Sequence, residues 1–115
     1  MIVEDEIFIG MLVEETLKDL GYEVCGIAST EAEAVLQAKK HHPDLMIVDA
    51  GLRIGCGVSA VATISKKQRI PYIFITGNAQ KVQSLDHDAI ILEKPFFMPD
   101  LVSAIEQALA ISTDT

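Results

Sequence analysis

The chain has 115 residues, half of them hydrophobic, and its 9 Lys and Arg against 17 Asp and Glu give a formal net charge of −8. That length fits one domain, residues 1–115, with its own core, and the acidic excess disfavours direct binding to nucleic acid or to an anionic membrane. Cys25 and Cys56 form neither a disulfide framework nor a CxxC zinc pattern. No apolar run approaches the roughly 20 residues of a membrane span, and the start Met1-Ile2-Val3-Glu4-Asp5-Glu6 is acidic where a secretory signal is basic, so a soluble cytoplasmic protein is expected.

Ile2–Val3 opens the chain as a short buried strand. Ile9, Val13, Thr16, Leu17 and Leu20 then recur on one helical face, with Glu14, Glu15, Lys18 and Asp19 opposite, and Gly21 stops the helix. Glu23–Ile27 reads as a second strand. Thr30-Glu31-Ala32-Glu33 is a capping box before a helix that turns Val35 and Leu36 inward and ends at His41-His42-Pro43. The two histidines suit a helix C-terminus, where positive charge is favoured.

Leu45–Val48 is the third strand, Val58–Lys67 the third helix, and Tyr72–Ile75 the fourth strand. Asn78–Asp88 gives a weak fourth helix with only Val82 and Leu85 as apolar anchors. Ala89–Leu92 is the fifth strand, and Pro99 and Asp100 start a last helix that presents Leu101, Ile105, Ala108 and Leu109, fraying from Ser112 onward. Most strand runs lack polar alternation, which indicates strands covered on both faces. Five strands alternating with helices through right-handed crossovers give an α/β fold of three layers, α/β/α, around a five-stranded parallel sheet.

In such a sheet ligands bind beyond the carboxyl ends of the strands. There the first strand runs into Glu4-Asp5-Glu6, the third into Asp49, the fourth into Thr76-Gly77 and the fifth into Glu93-Lys94-Pro95. Carboxylates gathered at one crevice repel unless a cation sits among them, and an all-oxygen set points to magnesium, with the Gly51 carbonyl as a further ligand. A lysine and a threonine beside such a metal point to a phosphoryl group as the shared ligand, with Lys94 offsetting its charge and Thr76 donating a hydrogen bond. Asp49 is then a nucleophile able to form an acyl phosphate. Taken singly, these residues also read as a helix start, a loop cap, a strand end and a surface charge; their ordered combination is what carries the assignment.

That combination, Glu4-Asp5, Asp49, Thr76-Gly77 and Lys94-Pro95, resembles the response-regulator receiver family of two-component signalling over nearly the whole chain. The resemblance implies a flavodoxin-like sheet of order 2-1-3-4-5 and phosphotransfer to Asp49 from a histidine kinase or histidine phosphotransfer protein. It implies Asp5 and Asp49 as direct magnesium ligands, Glu4 acting through water, the Gly51 carbonyl as ligand, and the Gly77 N–H on the phosphoryl group. It further implies a cis peptide bond before Pro95, a protein target downstream and, as a possibility, a homodimer.

The chain departs from the family pattern in places. The position three before the lysine, often aromatic and part of a threonine-linked switch, is Ile91. The segment Pro71-Tyr72-Ile73-Phe74-Ile75-Thr76-Gly77 resembles a group of stand-alone alphaproteobacterial receivers that also lack that aromatic. The interval from Thr76 to Lys94 is short for the family by about one helical turn. The loop Ala50-Gly51-Leu52-Arg53-Ile54-Gly55-Cys56-Gly57 lacks the usual proline after Leu52. Cys25 reads as a core thiol and Cys56 as a loop thiol, while Phe96 and Phe97 form a candidate docking patch with at least one ring in the core.

Three rivals compete. An aspartyl-nucleophile phosphatase needs a second acid two residues after the first, where Gly51 stands. A flavin-binding module needs a phosphate-cradling loop where Glu4-Asp5-Glu6 would repel phosphate. A degenerate receiver would bind proteins without phosphorylation. A stand-alone regulator is expected, with a piece of a longer regulator as the alternative.

Overall fold

The computed structural model describes residues 1–113, and side chains up to Ile111. Five strands and five helices alternate: β1 Ile2–Val3, α1 Ile7–Asp19, β2 Ile27–Ala28, α2 Glu31–His41, β3 Met46–Asp49, α3 Gly57–Ser65, β4 Tyr72–Thr76, α4 Ala79–Leu85, β5 Ile90–Glu93 and α5 Met98–Thr113. All pairings are parallel and the strand order is β2-β1-β3-β4-β5, the expected receiver arrangement.

Alternation along the strands divides the core into two layers. Val3, Val48 and Phe74 face the side covered by α2 and α3, where Ala34, Ala38, Ala60, Val61 and Ile64 are buried. Ile2, Ile47, Ile73 and Ile75 face α1 and α5, meeting Val13, Leu17, Leu101, Ala104, Ile105 and Ala108.

Several local expectations are corrected. Leu36 is 67% exposed, and α2 instead buries Ala34 and Ala38 with Val35 partly covered. Small side chains let this helix lie close to the sheet and roll Leu36 outward. Leu20 and Leu85 are also exposed, and Thr16 is only half-buried. The second strand pairs only at Ile27–Ala28, because β1 offers just Ile2 and Val3 as partners; Glu23 and Cys25 lie exposed before it, so Cys25 is not a core thiol. α5 continues through Thr113 rather than fraying from Ser112; the remaining expected frayed residues, 114 and 115, lie outside the described ones.

The capping box forms: Thr30 Oγ1 accepts the Glu33 N–H at 3.1 Å, while Glu33 Oε2 reaches back past Thr30 to the Ser29 N–H at 2.8 Å. The Ser29 N–H first, and then the Ser29 hydroxyl, which donates to the same Oε2 at 2.9 Å, hold the Glu33 carboxyl below its usual range. His42 is the left-handed C-cap of α2, φ 47°, with a ring nitrogen 3.1 Å from Gln68 Oε1. α4 is short, as expected. Asn78 caps it by accepting the Lys81 N–H at 3.2 Å, Val82 is its buried residue, and its C-cap Asp86 accepts the Tyr72 hydroxyl at 2.5 Å. No helix among the described residues is long and apolar enough to cross a membrane.

Candidate functional site

The buried polar side chains among the described residues are Glu4, Asp49 and Thr76, and all three stand at carboxyl ends of neighbouring strands. β3 places Asp49 opposite Ile75, one residue short of Thr76, and β4 places Thr76 opposite Glu93, one residue before Lys94. The strand register therefore assembles the group. Lys94 donates its main-chain N–H to the Thr76 carbonyl at 2.8 Å, and Thr76 Oγ1 accepts the Asn78 N–H at 3.0 Å, so the strand ends continue into the loop that carries Gly77. The Lys94–Pro95 peptide bond is cis.

Glu4, Asp5 and Asp49 each offer a carboxylate oxygen, all within 4.8 Å of one another. Two of them are deeply shielded, since Asp49 is 7% exposed and Glu4 6%. Three acids this close cannot all stay ionised without compensation. Lys94 supplies part of it, with Nζ 3.1 Å from Asp49 Oδ2. Burial depresses the Lys94 ammonium, but the Asp49 hydrogen bond and the charges of Asp49, Glu4 and Glu6 outweigh that and raise it overall. The Glu4 carboxyl is raised to about 7, first by burial and then by the charge and hydrogen bond of Asp49, against the lowering pull of the Glu6 N–H and the Lys94 charge. Oxygen donors only, close together and short of positive charge, fit a hard divalent cation.

The β3–α3 loop folds over this cluster. Gly51 donates its N–H to Asp49 Oδ1 at 2.8 Å. Arg53 donates its N–H to Asp5 Oδ2 at 2.6 Å, and its Nε lies 3.8 Å from the same oxygen. A proline at position 53 would have no N–H to give. The far end of the loop is fastened to α2, where Glu31 accepts the Cys56 N–H and the Ser59 hydroxyl, each at 2.9 Å.

Two glycines permit this path. Gly55 has φ +84° and a Cβ there would meet the Glu31 Cβ at 2.4 Å; at Gly57 a Cβ would lie 2.1 Å from the Asp49 carbonyl oxygen, so α3 starts directly beneath Asp49.

The residues expected to form the phosphoryl and metal site thus sit together at the carboxyl end of the sheet. Glu4, Asp5, Asp49 and Lys94 form the inner cluster, Gly51 touches it through its N–H, and Thr76 and exposed Gly77 border it. Ile91 is partly buried against the α2/α3 layer. Phe97 is 78% exposed, while Phe96 packs into the opposite layer. The roles of Arg53, Glu31 and Gly57 were not anticipated. The glycine cluster at 51, 55 and 57 was the available signal, since closely spaced glycines mark close backbone approach.

Residues 1–106 match the response regulator receiver domain family. The transcriptional regulatory protein PdtaR of Mycobacterium tuberculosis is 37% identical over 114 residues, covering 96% of this chain and 56% of that protein. The phyllosphere-induced regulator PhyR of Methylorubrum extorquens is 34% identical over 113 residues, covering 95% of this chain and 42% of that protein. The crystal structure of the response regulator PhyR from Brucella abortus superposes with a TM-score of 0.90 at 34% identity, covering 99% of this chain and 48% of that one. The chain spans about half the length of these relatives.

Proposed function

The chain belongs to the response regulator receiver family, and on that premise we propose that Asp49 accepts a phosphoryl group from the phosphohistidine of a histidine kinase or histidine phosphotransfer protein. One observation carries this reading. A buried aspartate at the end of the central strand β3 has a lysine ammonium 3.1 Å away and two further acids beside it, an arrangement with no structural need that a nonpolar strand end would not meet better.

In the reaction an Asp49 carboxylate oxygen attacks phosphorus while the bond from phosphorus to the histidine nitrogen breaks, leaving an acyl phosphate and a free imidazole. Asp5, Asp49 and the Gly51 carbonyl are the proposed magnesium ligands, with Glu4 acting through water; when bound, magnesium offsets charge on the phosphoryl oxygens. Lys94 already points at Asp49 and offsets the charge that the carboxylate gives up to phosphorus. Thr76, whose hydroxyl oxygen accepts the Asn78 N–H and whose hydroxyl hydrogen can donate at the same time, and the Gly77 N–H supply hydrogen-bond donors to the phosphoryl group.

The readout differs from a ring-based switch. Ile91 occupies the position of the family aromatic and packs against the α2/α3 layer, so phosphorylation is read through loop and α4 rearrangement that alters contacts with a protein target. The proposed setting is the cytoplasm, where histidine kinases present their phosphohistidine.

Transfer from an autophosphorylated, radiolabelled histidine kinase tests the proposal. Label should move to this chain only with magnesium, and alkali or hydroxylamine should release it as from an acyl phosphate. Label that resists both treatments, or continuous phosphate release from a simple phosphate ester, would exclude the receiver mechanism.

A further inference from the structure

We infer that Arg53 is a positioning residue that substitutes for the divalent cation at Asp5 and so weakens the cation's binding, an inference that rests on the magnesium reading above. Asp5 Oδ2 takes two donors from this one residue, the main-chain N–H at 2.6 Å and the guanidinium Nε at 3.8 Å. The other two acids have separate partners: the Glu6 N–H at 3.1 Å on Glu4, and the Gly51 N–H at 2.8 Å with Lys94 Nζ at 3.1 Å on Asp49. Asp5 is therefore the carboxylate whose charge is offset by the loop's guanidinium, whereas Asp49 takes only a main-chain N–H from the loop and its charge partner from Lys94.

The Asp5 side chain is 10% exposed whereas that of Arg53 is 76% exposed. Water has little access to the carboxylate, but the guanidinium is free to leave. A cation sharing Asp5 meets the positive charge of Arg53 and competes with it for the same lone pairs. The guanidinium should thus lower affinity modestly, as exposed ion pairs are weak.

The two fastenings of the loop give the idea a spatial signature. Its Arg53 end is held by a proposed metal ligand; its Cys56 end is held by Glu31, which lies on α2 and outside the acid cluster. Cation binding should release the first and leave the second.

The test titrates wild type, Arg53→Ala and Arg53→Lys with magnesium chloride, following calorimetry and amide chemical shifts. Arg53→Ala should bind magnesium about two- to fivefold more tightly, and Arg53→Lys should resemble wild type. The residue 53 amide should shift as magnesium saturates while the Cys56 amide stays in place. Equal affinity of wild type and Arg53→Ala, with the residue 53 amide unmoved, would overturn the role of Arg53 and leave the magnesium site intact. No magnesium binding by wild type or either variant would overturn both.

Discussion

Lys94 Nζ lies 3.1 Å from Asp49 Oδ2, and it is the basic side chain paired with the acid cluster from the sheet side, just as Arg53 is from the loop side. Lys94 is therefore asked to do two things: stabilise the cluster before reaction and offset charge during it. Replacing it with Met keeps the stem and removes the charge. Phosphorylation by a small donor should fall on the order of 10²-fold, measured as the initial rate of adduct formation, while circular dichroism shows the fold retained.

The Glu4 carboxyl gives a pH prediction with a definite sign. Its folded value is raised from 4.5 to about 7, by burial first, so the folded chain binds the proton more tightly than the unfolded chain. Folding stability without divalent cation should then fall as pH rises from about 4.5 to about 7 and level off above that. Glu4→Gln should flatten this slope, and saturating magnesium should reduce it. Urea midpoints between pH 5 and pH 8, with a chelator or with magnesium, are the measurement.

Gly57 offers a steric test of how the phosphoacceptor is seated. A Cβ there would lie 2.1 Å from the Asp49 carbonyl oxygen and 2.9 Å from both the Asp49 carbonyl carbon and Val48 Cγ1. Two of these atoms are backbone and cannot swing aside. Gly57→Ala should lower stability by about 1–3 kcal/mol and slow phosphorylation by displacing Asp49, whereas Gly21→Ala, with open space but φ +92°, should affect stability alone.

Tyr72 ties the start of β4 to the end of α4 through Asp86. Burial, then the hydrogen bond and charge of Asp86, push the phenol well above its usual value, so it remains a donor at any working pH. Tyr72→Phe should reduce stability by roughly 1 kcal/mol and speed amide exchange in Ala79–Leu85, leaving the rate of phosphorylation unchanged. Slower phosphorylation in this variant would show that α4 and the acid cluster are coupled through more than the loop.

The inner cluster was legible because parallel strands buried on both faces read as unbroken apolar runs, and the polar residues that end them are pushed to one edge. Asp49, Thr76 and Lys94 follow from that rule. Helix faces were less legible: Leu36 turns outward and Ala34 and Ala38 inward, since the space between α2 and the sheet admits small side chains, and size alone reads the opposite way. The segment before β2 has the apolar and polar alternation of a strand at Glu23, Val24 and Cys25, but pairing needs a partner, and β1 supplies only two residues. Arg53 was hidden because its donor is a main-chain N–H reaching Asp5 across 48 positions, and backbone donors leave no mark on composition or spacing. The apolar outer surface of α1, Ile7, Phe8, Met11 and Leu12, carries no polar mark: residues 7–12 hold no charge, and the solvent face is marked only by Glu14, Glu15, Lys18 and Asp19 further along the helix.

The central claim is that Asp49 is the phosphoacceptor, and intact-mass measurement after incubation with magnesium and acetyl phosphate or phosphoramidate tests it most directly. Wild type should gain a single phosphoryl group and Asp49→Asn none. An adduct that persists in Asp49→Asn, or no adduct in wild type with either donor, would contradict it.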